Sequence, residues 1–178
     1  ADARLHHAGD LLQQAIAGLV AAGVIDDLEL GEVHVHQDVA EALAHAHAHG
    51  VVHRDIKPEN ILLMGGHAVV ADFGIAKAVF EAVDPEAATS AGLVIGTAAY
   101  MSPEQAGGEQ DLDGRSDIYA LGCVLYEMLG GEPPFAGPSP HAVLARHRID
   151  QVPSLLTRRP TVPLAVSRWT MRQHALAW

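Results

Sequence analysis

The 178-residue sequence predicts a mainly α fold, an α+β helical bundle carrying one short β-hairpin. Three observations predict it. Apolar residues recur at helical spacing in several stretches. Only one pair of short β-type runs stands out, Ile61 to Met64 and Ala68 to Ala71, separated by Gly65-Gly66. Capping residues, glycines and prolines punctuate the helical stretches where they should start and stop.

Taken in order, Asp10 is placed to cap a helix whose apolar positions Leu11, Leu12, Ala15, Ile16 and Leu19 share one face, ending near Gly23. A second helix is predicted from about Gly31 to His49, with Val35, Val39, Leu43 and Ala46 as its inner stripe and Gly50 as a left-handed stop. The Gly65-Gly66 pair fits a two-residue hairpin turn. Gly74 to Glu104 reads as loop, with Ser, Thr, Gly and Pro scattered through it; uncommonly long loops tend to carry function. Ser116 is read as the cap of a strong helix burying Ile118, Leu121, Val124, Leu125, Met128 and Leu129, closed by Gly130-Gly131 and kept from restarting by Pro133-Pro134. Ser139-Pro140 opens a further helix. Beyond Gln151, prolines 153, 160 and 163 break any long element, and no internal repeat is visible.

Composition narrows the function classes. Hydrophobic residues make up 49% of the chain, enough for a packed core. A formal net charge of −11 argues against a nucleic-acid partner, which needs a basic stripe. The longest apolar run, Ile118 to Leu129, is interrupted by Glu127 and too short to cross a bilayer, and no signal-peptide pattern opens the sequence. Its first residue is Ala1, as expected of an excised fragment. The single cysteine, Cys123, excludes an intrachain disulfide and lies in an apolar helical pattern, pointing to packing in a reduced, cytoplasmic setting. A membrane anchor elsewhere in a longer protein is compatible with this.

The chemistry concentrates in Val51-Val52-His53-Arg54-Asp55-Ile56-Lys57-Pro58-Glu59-Asn60, directly ahead of the hairpin, and in Asp72-Phe73-Gly74 directly after it. Two carboxylates and an asparagine beside one hairpin make a hard-oxygen site suited to Mg²⁺, which neutralises phosphate oxygens.

The first stretch resembles the catalytic loop of eukaryotic-type serine/threonine protein kinases, and Asp72-Phe73-Gly74 their metal-binding triplet. Ser102-Pro103-Glu104 is similar to the triplet that closes the activation segment. The resemblance spans Ala40 to His147 and is strongest to bacterial members, through Ile95-Gly96-Thr97-Ala98-Ala99-Tyr100-Met101 and Ser116-Asp117-Ile118-Tyr119-Ala120-Leu121-Gly122. It implies a kinase large lobe over residues 1–150, with the hairpin at the active site and 151–178 a divergent or truncated segment.

Roles follow from the resemblance residue by residue. Asp55 would orient the substrate hydroxyl and accept its proton, and Lys57 would offset charge at the γ-phosphate. Asn60 and Asp72 would hold Mg²⁺, and Leu62 would lie under the adenine of ATP. His53 and Phe73 would stack in the core beneath the site, and Gly74 would permit a backbone flip. Thr97 would face Asp55 and Lys57 and help select a protein Ser or Thr acceptor. Asp117 would accept hydrogen bonds from the catalytic-loop backbone. Arg54 would pair with a phosphorylated residue of the activation segment, Thr89 or Ser90. Glu104 would pair with a late arginine; no Asp-Pro…Arg pattern follows Gln151, which leaves Arg168 or Arg172 as substitutes.

Other parts of the family pattern are missing. No Gly-x-Gly-x-x-Gly precedes His53, and the only lysines are Lys57 and Lys77, so the strand lysine that binds the α/β-phosphates has no counterpart upstream. The small lobe is therefore expected to be absent and the isolated chain inactive. A non-catalytic kinase-like binding or regulatory module is the alternative. Small-molecule phosphotransferases are disfavoured by Lys57 and by an activation segment running through to Glu104. His45 and His49 share a helix face at metal-ligand spacing, but His47 is rotated away, and a plain helix end is preferred to a zinc site.

Overall fold

The computed structural model describes residues 30–73 and 95–162, with Leu164 and Ser167 beyond them. The helix predicted from Asp10 lies outside the described residues, as do Gly74, Thr89 and Ser90.

Helix α1 spans Leu30–Ala48. Its stripe is the predicted one: Val39 and Leu43 are fully buried, Ala46 nearly so, and Val35 packs at the margin. Gly50 ends it with φ 72°, a conformation that glycine adopts without steric cost. After the loop over residues 51–57, a 3₁₀ turn at Pro58–Asn60 leads into β1, Ile61–Met64. The antiparallel partner β2 is His67–Val70, one residue earlier than the sequence pattern indicates, with Met64 opposite His67 and Ile61 opposite Val70. Gly65 and Gly66 both have positive φ, 60° and 87°. Two successive positive φ values give the tight turn whose twist matches a hairpin, and they fix this register.

Helix α2, Ile95–Ala98, lies in the stretch expected to be loop, and α3, Pro103–Ala106, starts at its end. The second rests on a reciprocal cap. Ser102 accepts from the Gln105 amide while the Gln105 side chain accepts from the Ser102 amide.

Helix α4, Gly114–Gly130, is the spine of the fold. Its cap is Asp113, which accepts from the Arg115 amide at 2.9 Å; Ser116 is not the cap but sits inside the first turn, fully buried. Residues Ser116 to Tyr126 are buried without a break, so this helix is enclosed nearly all round. Gly131 closes it at φ 81°. Helix α5, Pro140–Ile149, starts at the predicted Ser139 cap and proline.

Helix α1 packs on β2 and α4, while α2 and α3 pack on α5. The main core joins Val39, Leu43, Ile56, Leu121, Val124 and Tyr126 to Leu155 and Val162, so the chain just past Gln151 helps cover α4. A satellite cluster joins Ala98, Phe135 and Val143. Cys123 is buried, and burial pushes its thiol well above the ordinary range, as befits a packing residue. Among the described residues, no helix is long and apolar enough to cross a membrane.

Candidate active site

The loop between α1 and β1 is anchored from beneath. Asp117, in the first turn of α4 and 1% exposed, accepts the Arg54 amide on Oδ1 at 2.7 Å and the His53 amide on Oδ2 at 2.8 Å. A third donor, His47 Nε2, reaches Oδ2 at 2.7 Å. A buried carboxylate survives only with such partners, and here they come from a helix end and a loop that it thereby joins. Arg54 has φ 68° and Asp72 φ 55°, left-handed conformations that cost a non-glycine residue about 1–3 kcal/mol and persist where surroundings impose them.

His53 is fully buried, with its ring centroid 4.6 Å from that of Phe73. Its Nε2 lies 2.9 Å from the Ala71 carbonyl, which can only accept, while Nδ1 accepts from the Asp55 amide at 3.3 Å. Those partners assign a neutral ring with the proton on Nε2. The stack ties the loop before the hairpin to the strand leaving it. The Ala71 amide also donates to the Asn60 carbonyl at 2.8 Å, which sets Asp72 beside the end of the 3₁₀ turn.

On the outer side of the loop, Asp55 and Lys57 form an ion pair, Nζ to Oδ2 at 2.9 Å. Asn60 Nδ2 donates to the Asp55 carbonyl at 2.8 Å and to Oδ2 at 3.2 Å. Lys57 Nζ also approaches Thr97 Oγ1 at 3.4 Å. Asp55, Lys57, Asn60 and Thr97 thus meet although α2 lies forty residues downstream. Both hydrogen bonds of the Asn60 amide run through its nitrogen, which turns its oxygen away from Asp55. Asp72 is exposed, and its carboxylate has no hydrogen bond or ion pair among the described residues. Two uncommitted oxygen donors fit a hard cation. Leu62 is 45% exposed on β1, opposite the equally exposed Val69, and presents an apolar surface beside these groups.

Two residues the sequence reading passed over enter here. His47, set aside within the histidine run, is the third ligand of Asp117, and its ring lies so close over Gly114 that a Cβ there would sit 2.6 Å from it. Gln105 Nε2 donates to the Arg54 carbonyl at 2.8 Å. The Ser-x-x-Gln cap was a visible signal for Gln105; nothing local marks His47. Its neighbours His45 and His49 instead contact each other, ring to ring at 4.4 Å. Glu104 accepts from Ser116 Oγ at 2.6 Å, and its second oxygen is buried without a hydrogen-bond partner among the described residues; Arg168 and Arg172 lie outside them.

Comparison with known proteins shows the family. The protein kinase domain model matches residues 9–172. The chain belongs to the protein kinase domain family. Its kinase-domain relatives include the serine/threonine-protein kinase PknB of Mycolicibacterium smegmatis, 53% identical over 123 residues, and that of Mycobacterium tuberculosis H37Rv, 50% identical over the same length. Each alignment covers 68% of this chain and 19% of the relative, so the chain spans about a fifth of the length of the curated relatives it matches. By family this kinase domain is of the bacterial serine/threonine type, a transferase.

Proposed function

We propose that residues 1–150 form the large lobe of a serine/threonine protein kinase, with 151–178 a divergent segment, and that the lobe transfers the γ-phosphoryl group of ATP to protein Ser or Thr hydroxyls. The observation that carries this reading is the convergence on Asp55: Lys57 at 2.9 Å and Asn60 at 3.2 Å, with Thr97 against the same lysine.

In this reading the Asp55 carboxylate orients the acceptor hydroxyl and takes its proton as the oxygen attacks phosphorus. Lys57 is already held at the catalytic carboxylate and shifts toward the transferring phosphoryl group. Asn60 Oδ1 and the Asp72 carboxylate would hold Mg²⁺, which supplies charge neutralisation at the phosphate oxygens. Asn60 has a second duty, since its amide nitrogen fixes the Asp55 side chain. Leu62 offers the apolar floor for adenine. Thr97, beside Lys57, narrows the acceptor space. Phosphorylation of Thr89, or secondarily Ser90, gives Arg54 an anionic partner in the activation segment; full activity with both changed to Ala, and neither modified in active enzyme by mass spectrometry, would rule this out.

No lysine precedes Lys57 in these 178 residues, so in this reading a small lobe outside them supplies the lysine and glycine-rich loop that clamp the nucleotide. Removing one preorganised donor costs about 10²–10³ in rate, and several are involved here. We therefore infer that the chain by itself has negligible phosphotransfer activity in a cytoplasmic setting, and gains it once joined to a small lobe. The test is ATP-dependent labelling of a serine or threonine peptide by the chain fused to such a lobe. Transfer abolished by Asp55→Asn supports the reading. Fused chain that binds ATP yet never labels the peptide favours the second reading, a non-catalytic kinase-like binding or regulatory module.

A further inference from the structure

The strained turn at Arg54 is held on both sides, and only one side falls within the functional roles assigned above. Its N–H goes to Asp117. Its carbonyl goes to Gln105 Nε2 at 2.8 Å, from a helix fifty-one residues downstream. The peptide plane between Arg54 and Asp55 carries that carbonyl at one end and the Asp55 N–H at the other. The Asp55 N–H reaches His53 Nδ1 only at 3.3 Å, so the contact to Gln105 is the firmer of the two constraints on the plane.

Gln105 is itself fixed. Its Oε1 accepts the Ser102 amide at 3.0 Å, which forces the amide nitrogen toward Arg54. Ser102 is fully buried and its hydroxyl continues to Ser116 Oγ at 3.2 Å and on to Glu104. The side chain that clamps the loop is thus anchored in the packed base of α3. Gln105 also lines, with Arg54, Asp55, Thr97 and Asp117, a small crevice against the loop.

We propose that Gln105 is a positioning residue: by binding the Arg54 carbonyl it holds the Arg54–Asp55 peptide in the orientation that aims the Asp55 carboxylate. The proposal rests on the kinase reading for its catalytic consequence and on geometry alone for the positioning. Glutamate in place of glutamine keeps the acceptor for Ser102 and removes the donor for Arg54. Alanine removes both.

The test is amide hydrogen exchange and carbonyl chemical shift by NMR in the 178-residue chain. In Gln105→Glu, exchange at the Asp55 amide should rise about tenfold, the ratio that one ordinary hydrogen bond sustains, and the Arg54 carbonyl resonance should move, while the amides of α4 stay protected. Unchanged Asp55 exchange and Arg54 shift in folded Gln105→Glu and Gln105→Ala would overturn the proposal. In wild-type chain, a scalar coupling through the hydrogen bond between the Gln105 side-chain nitrogen and the Arg54 carbonyl carbon is expected, and its absence would overturn the proposal even if both variants unfold. With a small lobe attached, Gln105→Glu should lower kcat about tenfold or more through misplacement of the carboxylate, leaving KM for ATP unchanged; an unaltered kcat counts against it. A wild-type fusion that never transfers phosphate contradicts the kinase reading and leaves the exchange result to decide this one.

Discussion

Asp117 and Arg54 stand sixty-three residues apart and are joined by a 2.7 Å hydrogen bond from the Arg54 amide to the buried Asp117 Oδ1. With the His53 amide and His47 Nε2 on the other oxygen, the carboxylate holds three donors. Removing it leaves one buried and one part-buried backbone N–H unpaired. Asp117→Ala should therefore cost about 3 kcal/mol or more, given about 1–3 kcal/mol for each stranded group. Asp117→Asn should cost nearly as much, because its amide nitrogen faces donors. Urea denaturation of both variants checks this; a loss under about 1 kcal/mol would show that the loop does not depend on the carboxylate.

Gly114 opens α4, where alanine would ordinarily be the better helix former by about 1 kcal/mol. Here a Cβ would lie 2.6 to 2.8 Å from three atoms of the His47 ring, which is tied to Asp117 and cannot swing aside freely. Gly114→Ala should destabilise by about 1–3 kcal/mol, the usual range for overpacking. Adding His47→Ala should recover part of the loss that Gly114→Ala causes in the wild-type background, measurable as a double-mutant cycle. A stabilising Gly114→Ala would mean the contact is soft.

The cap of α4 gives a pH dependence. Burial alone would push the Asp113 carboxyl up, but its hydrogen bonds to the Arg115 side chain and amide, with the guanidinium charge, outweigh that and hold it below the ordinary carboxylate range. Its folded-state pKa is depressed, so its contribution is complete above the unfolded value and is lost as pH falls through the folded one. Asp113→Ala should cost about 1 kcal/mol near neutral pH, as cap removal does. The gap to wild type should close on acidification into and below the ordinary carboxylate range. Thermal melts across that range check the sign, and a gap that widens in acid contradicts it.

Core truncation should be severe where burial is complete. Leu43 on α1 and Leu121 on α4 are both 0% exposed in one cluster. Leu→Ala at either should cost about 2–5 kcal/mol. Leu62→Ala on the exposed hairpin should leave folding within about 0.5 kcal/mol. On the proposed kinase reading its effect falls instead on nucleotide affinity, so calorimetry on the chain joined to a small lobe separates the two.

Much of this was legible because local rules decide it. The Gly65-Gly66 turn fixed the hairpin, and Gly50 and Gly131 both sit in the left-handed conformations their positions demand. The hairpin's second strand was misjudged by one residue because alternation cannot distinguish a strand end from the turn beside it. Asp113 and Ser116 are both good capping residues. Only the distant acceptor Glu104, which takes the Ser116 hydroxyl, reveals that serine's other use. The contacts of Asp117 with the loop amides and the His53–Phe73 stack join residues far apart in the chain, which local pattern alone does not reveal. His47 was not legible: its partner lies seventy residues away, and the alternating histidines around it suggest a different pairing.

The central claim is that Asn60 and Asp72 hold a metal-bound nucleotide beside Asp55. Titrating the 178-residue chain with Mn²⁺ and ATP while recording amide resonances by NMR tests this most directly, because paramagnetic broadening reports even weak, short-lived binding. The account predicts broadening centred on Asn60, Asp72 and Asp55, sparing Arg158 and the end of α5, and lost in an Asn60→Ala, Asp72→Ala double variant. Broadening spread evenly over the acidic surface, or unchanged by that double variant, would contradict it.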